Sequence, residues 1–212
     1  MTQENNCDYD VIIVGGGIAG FACGVALARK GIRNIKIYEK ARSLQPTGAA
    51  LGLFPNGFAA LREISPIVDE KIRASAIPAS KMQMKSLDGS LLKEIDLKAS
   101  PAVLPSFLVW YLLQDYLREG LPEGVLSLGH MFESCEVNDQ IVRVRTLNRL
   151  ENNAVETKTC RVLIGADGIK STVRTALFGV RPMSYHGKMM FRAVMNLDTI
   201  DPGTCPPAGT SV

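Results

Sequence analysis

The spacing of apolar positions along this chain changes several times, and each change predicts an element. Residues 11–14 are an unbroken β-branched run, the pattern of a strand buried on both faces of a parallel sheet. Three glycines at 15, 16 and 17 stop it. Residues 18–30 then place Ala19, Ala22, Ala26 and Leu27 at helical spacing, and Gly31 follows where a helix C-cap belongs. A second apolar run, 35–38, ends at Glu39. Together these predict one β-α-β unit with a right-handed crossover.

Residues 40–55 hold Pro46, Gly48, Gly52 and Pro55 and read as a loop, followed by a short helix over 56–63. Residues 81–87 alternate, with Met82 and Met84 opposed to Lys81, Gln83 and Lys85. Asp88-Gly89 then predicts a two-residue hairpin turn into 91–97. That hairpin is half-exposed, unlike 11–14, and so belongs to a different sheet. Residues 107–119 read as a helix capped by Ser106 and closed by Gly120, with a short strand over 125–128. Residues 141–147 and 154–160 form a small antiparallel hairpin whose second strand runs on through a buried stretch, 162–166. The tail from Asp198 is rich in proline and hydroxyl residues and predicts no element.

Composition narrows the class. The 212 residues are 46% hydrophobic, enough for a real core, so disorder is excluded. The net charge of +3, 24 basic against 21 acidic residues spread along the chain, asks for no nucleic-acid partner. Five scattered cysteines, never spaced as Cys-x-x-Cys, and only His130 and His186 beside them, draw no metal site. Reduced thiols and a polar, acidic first ten residues point to the cytoplasm or another reducing intracellular compartment, with no secretory signal. The apolar run 107–113 is far short of the roughly 20 residues a transmembrane segment needs.

Two constellations carry chemistry. Gly15-x-Gly17-x-x-Gly20 lies between a buried strand and a helix. In that setting Gly15 makes the turn and Gly17 lets a pyrophosphate approach, while Gly20 lets helix and strand close. The first helical N–H groups, at Ile18 and Ala19, face the anion. Glu39 lies 19 positions beyond Gly20, where a carboxylate accepts hydrogen bonds from a ribose; that acid predicts a free 2′-hydroxyl, hence FAD or NAD. Lys40 and Arg42 follow it closely and are further candidate cofactor-binding residues. The second constellation is GADGIKSTVR, residues 165–174. Its strand delivers Asp167 to the carboxyl edge where open parallel sheets bind ligands, Gly168 permits the turn, and Ser171 caps the next helix.

These residues resemble the FAD-dependent aromatic-ring hydroxylases, the single-component flavoprotein monooxygenases related to p-hydroxybenzoate and salicylate hydroxylase. The glycine motif with Glu39 is similar to their ADP-binding signature, and GADGIKSTVR to their Asp-Gly signature. Residues 47–57, including Gly48 and Ala49, resemble the stretch that passes the flavin ring, and 185–193 the strand opening the substrate domain. The resemblance implies an α/β fold: a Rossmann-like FAD-binding domain (1–75 and 98–180) with a parallel sheet and a small antiparallel β-meander. An incomplete β-rich substrate domain (76–97 and 181–212) joins it.

It further implies FAD as cofactor, NADH or NADPH as reductant, and O2-dependent hydroxylation or epoxidation of a small electron-rich substrate, with Asp167 contacting the flavin ribityl chain. The sequence departs from the family in two ways. Trp110 stands near the place where many members carry a cofactor-facing arginine, and the family's third signature, a Gly-Asp before an Ala-His-type turn, has no counterpart. A fragment or shortened FAD-binding module without turnover is therefore the alternative, and an NAD-dependent dehydrogenase using the glycine motif alone is a third reading.

Overall fold

The computed structural model describes residues 7–46, 49–97, 105–138, 140–189 and 210–211. In chain order the elements are β1 (Tyr9–Val14), α1 (Ile18–Arg29), β2 (Ile35–Glu39), β3 (Ala50–Leu53), α2 (Pro55–Ile64), α3 (Pro66–Ser75), β4 (Ile77–Pro78), β5 (Lys81–Lys85), β6 (Leu91–Asp96), β7 (Ser106–Val109), α4 (Trp110–Glu119), β8 (Leu126–Leu128), β9 (His130–Val137), β10 (Val142–Asn148), β11 (Ala154–Gly165), α5 (Thr172–Phe178) and β12 (Thr210–Ser211). They divide between two compact units, Met1–Gln45 with Leu117–Lys188 and Pro46–Tyr116 with Met189–Val212.

The first unit is built on a six-stranded sheet in the order β8-β2-β1-β11-β10-β9. The first four strands are parallel, and β11-β10-β9 form an antiparallel meander, so β11 belongs to both parts. The unbroken apolar run of β1 follows from burial on both faces. Ile12 and Val14 pack with Tyr38, Phe132, Val144 and Val173 on the meander face. Ile13 and its register partner Ile37 alternate onto the other face, where Gly24 of α1 comes so close that a Cβ would lie 2.8 Å from Ile37 Cδ1. Ile12, Ile13, Phe21 and Ile37 are fully buried, each contributing about 2 kcal/mol relative to exposure. Burial also pushes the Cys160 thiol up to about 11 and raises that of Cys23, which disfavours the thiolate at both positions.

The second unit holds two small sheets, β3-β7-β4 and β12-β5-β6. Ser65 stops α2 and caps α3, accepting from Val68 N–H, with Pro66 at the first helical position. Arg73 Nε–H is shared between the two Asp69 carboxylate oxygens, 3.0 Å from each, and the guanidinium lies 4.3 Å from the Phe58 ring centroid, fixing α3 against α2.

Several expectations are corrected. The segment expected to open a helix at Ser106 is strand β7, and the helix starts only at Trp110. Phe107 and Leu108 find antiparallel partners in β3, inside the stretch that reads as a loop, and that pairing outweighs local helical spacing. The Asp88-Gly89 turn has three loop residues. Gly89 N–H donates to Ser86 O at 3.0 Å with Gly89 at φ +86°, whereas a two-residue turn needs Asp88 at positive φ too.

Val162, expected to be buried, is 49% exposed: β1 pairs with it on one side through Val11, but on the other side the β10 pairing ends at Cys160. Strand β9 was not anticipated, since Gly129 at φ +75° separates it from β8 and leaves two short pieces with no clear period. Residues 181–189 hold no strand, while 190 onward, including the rest of the substrate-domain match, lie outside the described residues apart from β12. In β12, Thr210 and Ser211 pair in parallel with Lys81 and Met82, so the tail does contribute a short element. No helix among the described residues is long and apolar enough to cross a membrane.

Candidate cofactor site

The carboxyl ends of β2, β1 and β11 lie side by side, so the loops that follow them meet. The loop after β1 is held by its neighbours. Gly15 sits at φ +113° and donates its N–H to Tyr38 O at 2.8 Å, and a Cβ there would lie 2.4 Å from Ala166 O. Gly20, in the first turn of α1, would drive a Cβ to 1.9 Å from Gly15 O. Gly17 differs: as N-cap of α1 it has ordinary extended geometry, no side chain caps the helix, and a Cβ would meet nothing within 4 Å. Two of the three motif glycines therefore serve packing, and the third leaves open space beside unsatisfied helix N–H groups.

Gly16, an unspecified position in the motif, also matters. It donates to Glu39 Oε2 at 2.6 Å, and a Cβ would fall 2.9 Å from Glu39 Cβ. Glu39 Oε1 accepts from Ala41 N–H at 2.8 Å. Each carboxylate oxygen thus retains acceptor capacity for a hydroxyl such as those of a ribose.

These groups border a cavity of about 280 Å³ lined by Gly15, Gly17, Glu39, Lys40, Asp167, Gly168 and neighbours. Ile18 and Ala19 lie at the start of α1 and contribute backbone rather than cavity wall. Arg42 is exposed and outside the lining. Ala49 belongs to the second unit, where its carbonyl accepts from Trp110 N–H at 3.1 Å, and Gly48 lies outside the described residues. His186 is exposed, as expected of a solvated side chain.

Asp167 is occupied by its own chain. Oδ1 accepts from the Ser171 hydroxyl at 2.5 Å, and Oδ2 from Thr172 N–H, Thr172 hydroxyl and Val173 N–H at 2.6, 3.0 and 3.1 Å. Burial pushes this carboxyl up, but the Ser171 hydroxyl, the Val173 N–H and the Thr172 hydroxyl outweigh it and hold the group below its usual 3.8. A carboxyl depressed in the folded state contributes stability that is complete above the unfolded value and is lost as pH falls through the folded one. The stability difference between wild type and Asp167→Asn, from urea unfolding, is therefore expected to be constant above pH about 4 and to shrink below it. A difference undiminished at pH about 2 would overturn this.

The aromatic wall was not legible in the sequence. The Tyr38 and His130 rings stack at 5.2 Å with an interplanar angle of 27°, and both border the cavity. The His130 ring is fixed by Leu128 O at 2.8 Å and Glu156 Oε1 at 3.2 Å. Its only sequence signal is a lone histidine one residue after a glycine.

A family model described as FAD binding domain matches residues 8–204. The chain belongs to the FAD-binding domain family. An FAD-dependent monooxygenase of Gibberella moniliformis is 32% identical, covering 93% of this chain and 48% of its own length. The 3-hydroxybenzoate 6-hydroxylase of Polaromonas naphthalenivorans is 30% identical, covering 92% and 48%. The crystal structure of the flavin-dependent monooxygenase PieE in complex with FAD and substrate superposes with a TM-score of 0.66 at 26% identity, over 80% of this chain and 32% of that one. This FAD-binding domain thus spans half or less of the length of the relatives it matches.

Proposed function

We propose that this FAD-binding domain holds the adenosine-diphosphate end of FAD in the cavity of the first unit and serves a monooxygenase. That enzyme uses NADH or NADPH and O2 to hydroxylate or epoxidise a small, aromatic or otherwise electron-rich organic substrate. The observation that carries the reading is the open position at Gly17, at an uncapped helix N-terminus, beside Glu39 with acceptor capacity to spare. The cavity, close to the lower end of ordinary ligand sites, suits part of a dinucleotide. When bound, FAD supplies hydride acceptance and O2 activation.

The chain's own residues bind and orient. The α1 N-terminus and Gly17 receive the diphosphate, Glu39 the ribose, and Asp167 with Gly168 shapes the opposite rim while capping α5. The substrate class rests on the names of the relatives, and Glu39 favours a cofactor with a free 2′-hydroxyl. Residues 1–75 and 98–180 are assigned to cofactor binding, and 76–97 with 181–212 to the substrate side. The separate β5–β6 hairpin supports that division. The scattered cysteines, none spaced as Cys-x-x-Cys, support a reducing compartment.

Titration with FAD, followed by flavin fluorescence, is expected to show saturable binding that Glu39→Ala weakens about tenfold. Anaerobic NADH or NADPH is then expected to bleach the bound flavin. Absence of FAD binding by the wild-type chain defeats the proposal. A second reading is an FAD-binding module without turnover of its own; steady NAD(P)H oxidation by these 212 residues counts against it.

A further inference from the structure

The charged groups of the cavity differ in how they are engaged. Its two carboxylates, Glu39 and Asp167, are both engaged by hydrogen-bond donors of their own chain. Lys40 and Lys170 are the only lysine or arginine side chains in the lining, and neither ammonium has a hydrogen-bond or ion-pair partner among the described residues. Their placement follows from the strand order. Lys40 comes directly after β2 and Lys170 five residues after β11, and these strands flank β1 on either side. The two lysines therefore bracket the Gly15–Gly17 loop.

We propose that Lys40 and Lys170 act as a pair of cationic arms that close on the diphosphate of the bound dinucleotide from opposite sides of the glycine loop. This rests on the cofactor reading above. A diphosphate brings negative charge into a cavity that already holds two carboxylates, and backbone dipoles at one helix end offset only part of it. Two unpaired ammoniums on flexible four-carbon stems offset the charge that the diphosphate adds, without a preformed ion pair having to be broken. Exposure of both side chains makes the contribution moderate and sensitive to salt.

The test uses the 212-residue chain and three probes: FAD, ADP and adenosine. Lys40→Gln and Lys170→Gln are each expected to raise the Kd for FAD and ADP about fivefold, and the double variant about 20-fold, leaving adenosine unchanged. The dependence of Kd on salt flattens in the double variant, and Lys170→Arg restores wild-type affinity. Variants that bind ADP as tightly as wild type, or that lose adenosine in equal measure, overturn the inference. If the wild type itself binds neither FAD nor ADP, the cofactor reading fails first; if it binds both and the variants match it, only the lysine pair falls.

Discussion

Gly20→Ala is expected to cost the protein about 3 kcal/mol or more, the upper range of overpacking substitutions. The added Cβ would stand 1.9 Å from Gly15 O, and the obstructing atom is backbone, which has no rotamer to yield. Relief requires α1 to lift from β1, and that opens the contact through which Phe21, Val25 and Ile37 are buried. For a chain of this size the melting temperature is expected to fall by roughly 6–12 °C. Gly17→Ala is the internal control, because the Cβ there enters open space at an ordinary backbone conformation. Thermal unfolding of the two variants side by side decides the matter: a Gly20→Ala protein melting within about 2 °C of wild type would mean that helix and strand are not in the close contact described.

Gly17→Val should do the opposite, leaving the fold intact and abolishing cofactor binding. Its φ of −83° and ψ of −176° suit a β-branched residue, and nothing in the protein lies within 4 Å of the new Cβ. The space it fills is the approach to the free N–H groups of α1, where the diphosphate has to come close. A loss of FAD affinity of about 100-fold or more, roughly 3 kcal/mol, is expected with a melting temperature unchanged. Fluorescence titration of Gly17→Ala and Gly17→Val should show a graded loss with side-chain size. If Gly17→Val binds FAD like wild type, the motif is a turn and nothing else, and the site must be sought elsewhere.

The pair separates two jobs that one spacing pattern carries. Gly15-x-Gly17-x-x-Gly20 identifies three positions without a side chain, but it does not say which face a backbone carbonyl and which a ligand. In the folded chain Gly15 meets Ala166 O and Gly20 meets Gly15 O, leaving Gly17 alone with open space. Gly16 was invisible to the pattern because its partner, Glu39, lies 23 residues away and across a strand pair. Asp167 shows the same limit at short range. Its position at the end of a strand was legible, yet its four bonds to Ser171, Thr172 and Val173 make it a cap for α5 as well as a wall of the cavity.

What the sequence determined by itself is the set of features whose physics is local. The β1-α1-β2 unit follows from a buried run, a glycine break and a helical stripe; the Ser171 cap and the existence of the β5–β6 and β10–β11 hairpins follow from turn residues and alternation. Those signals act within a few residues, so no distant partner is needed to express them. Tertiary structure decided the rest: that Ser106–Val109 is a strand because β3 and β4 pair with it, that Val162 is half-exposed because β10 ends beside Cys160, and that His130 stacks on Tyr38. It also placed Lys40 and Lys170, 130 positions apart, on either side of one loop. Such outcomes depend on which strand ends up beside which, and pairing energy between segments far apart in the chain leaves no local trace in either of them.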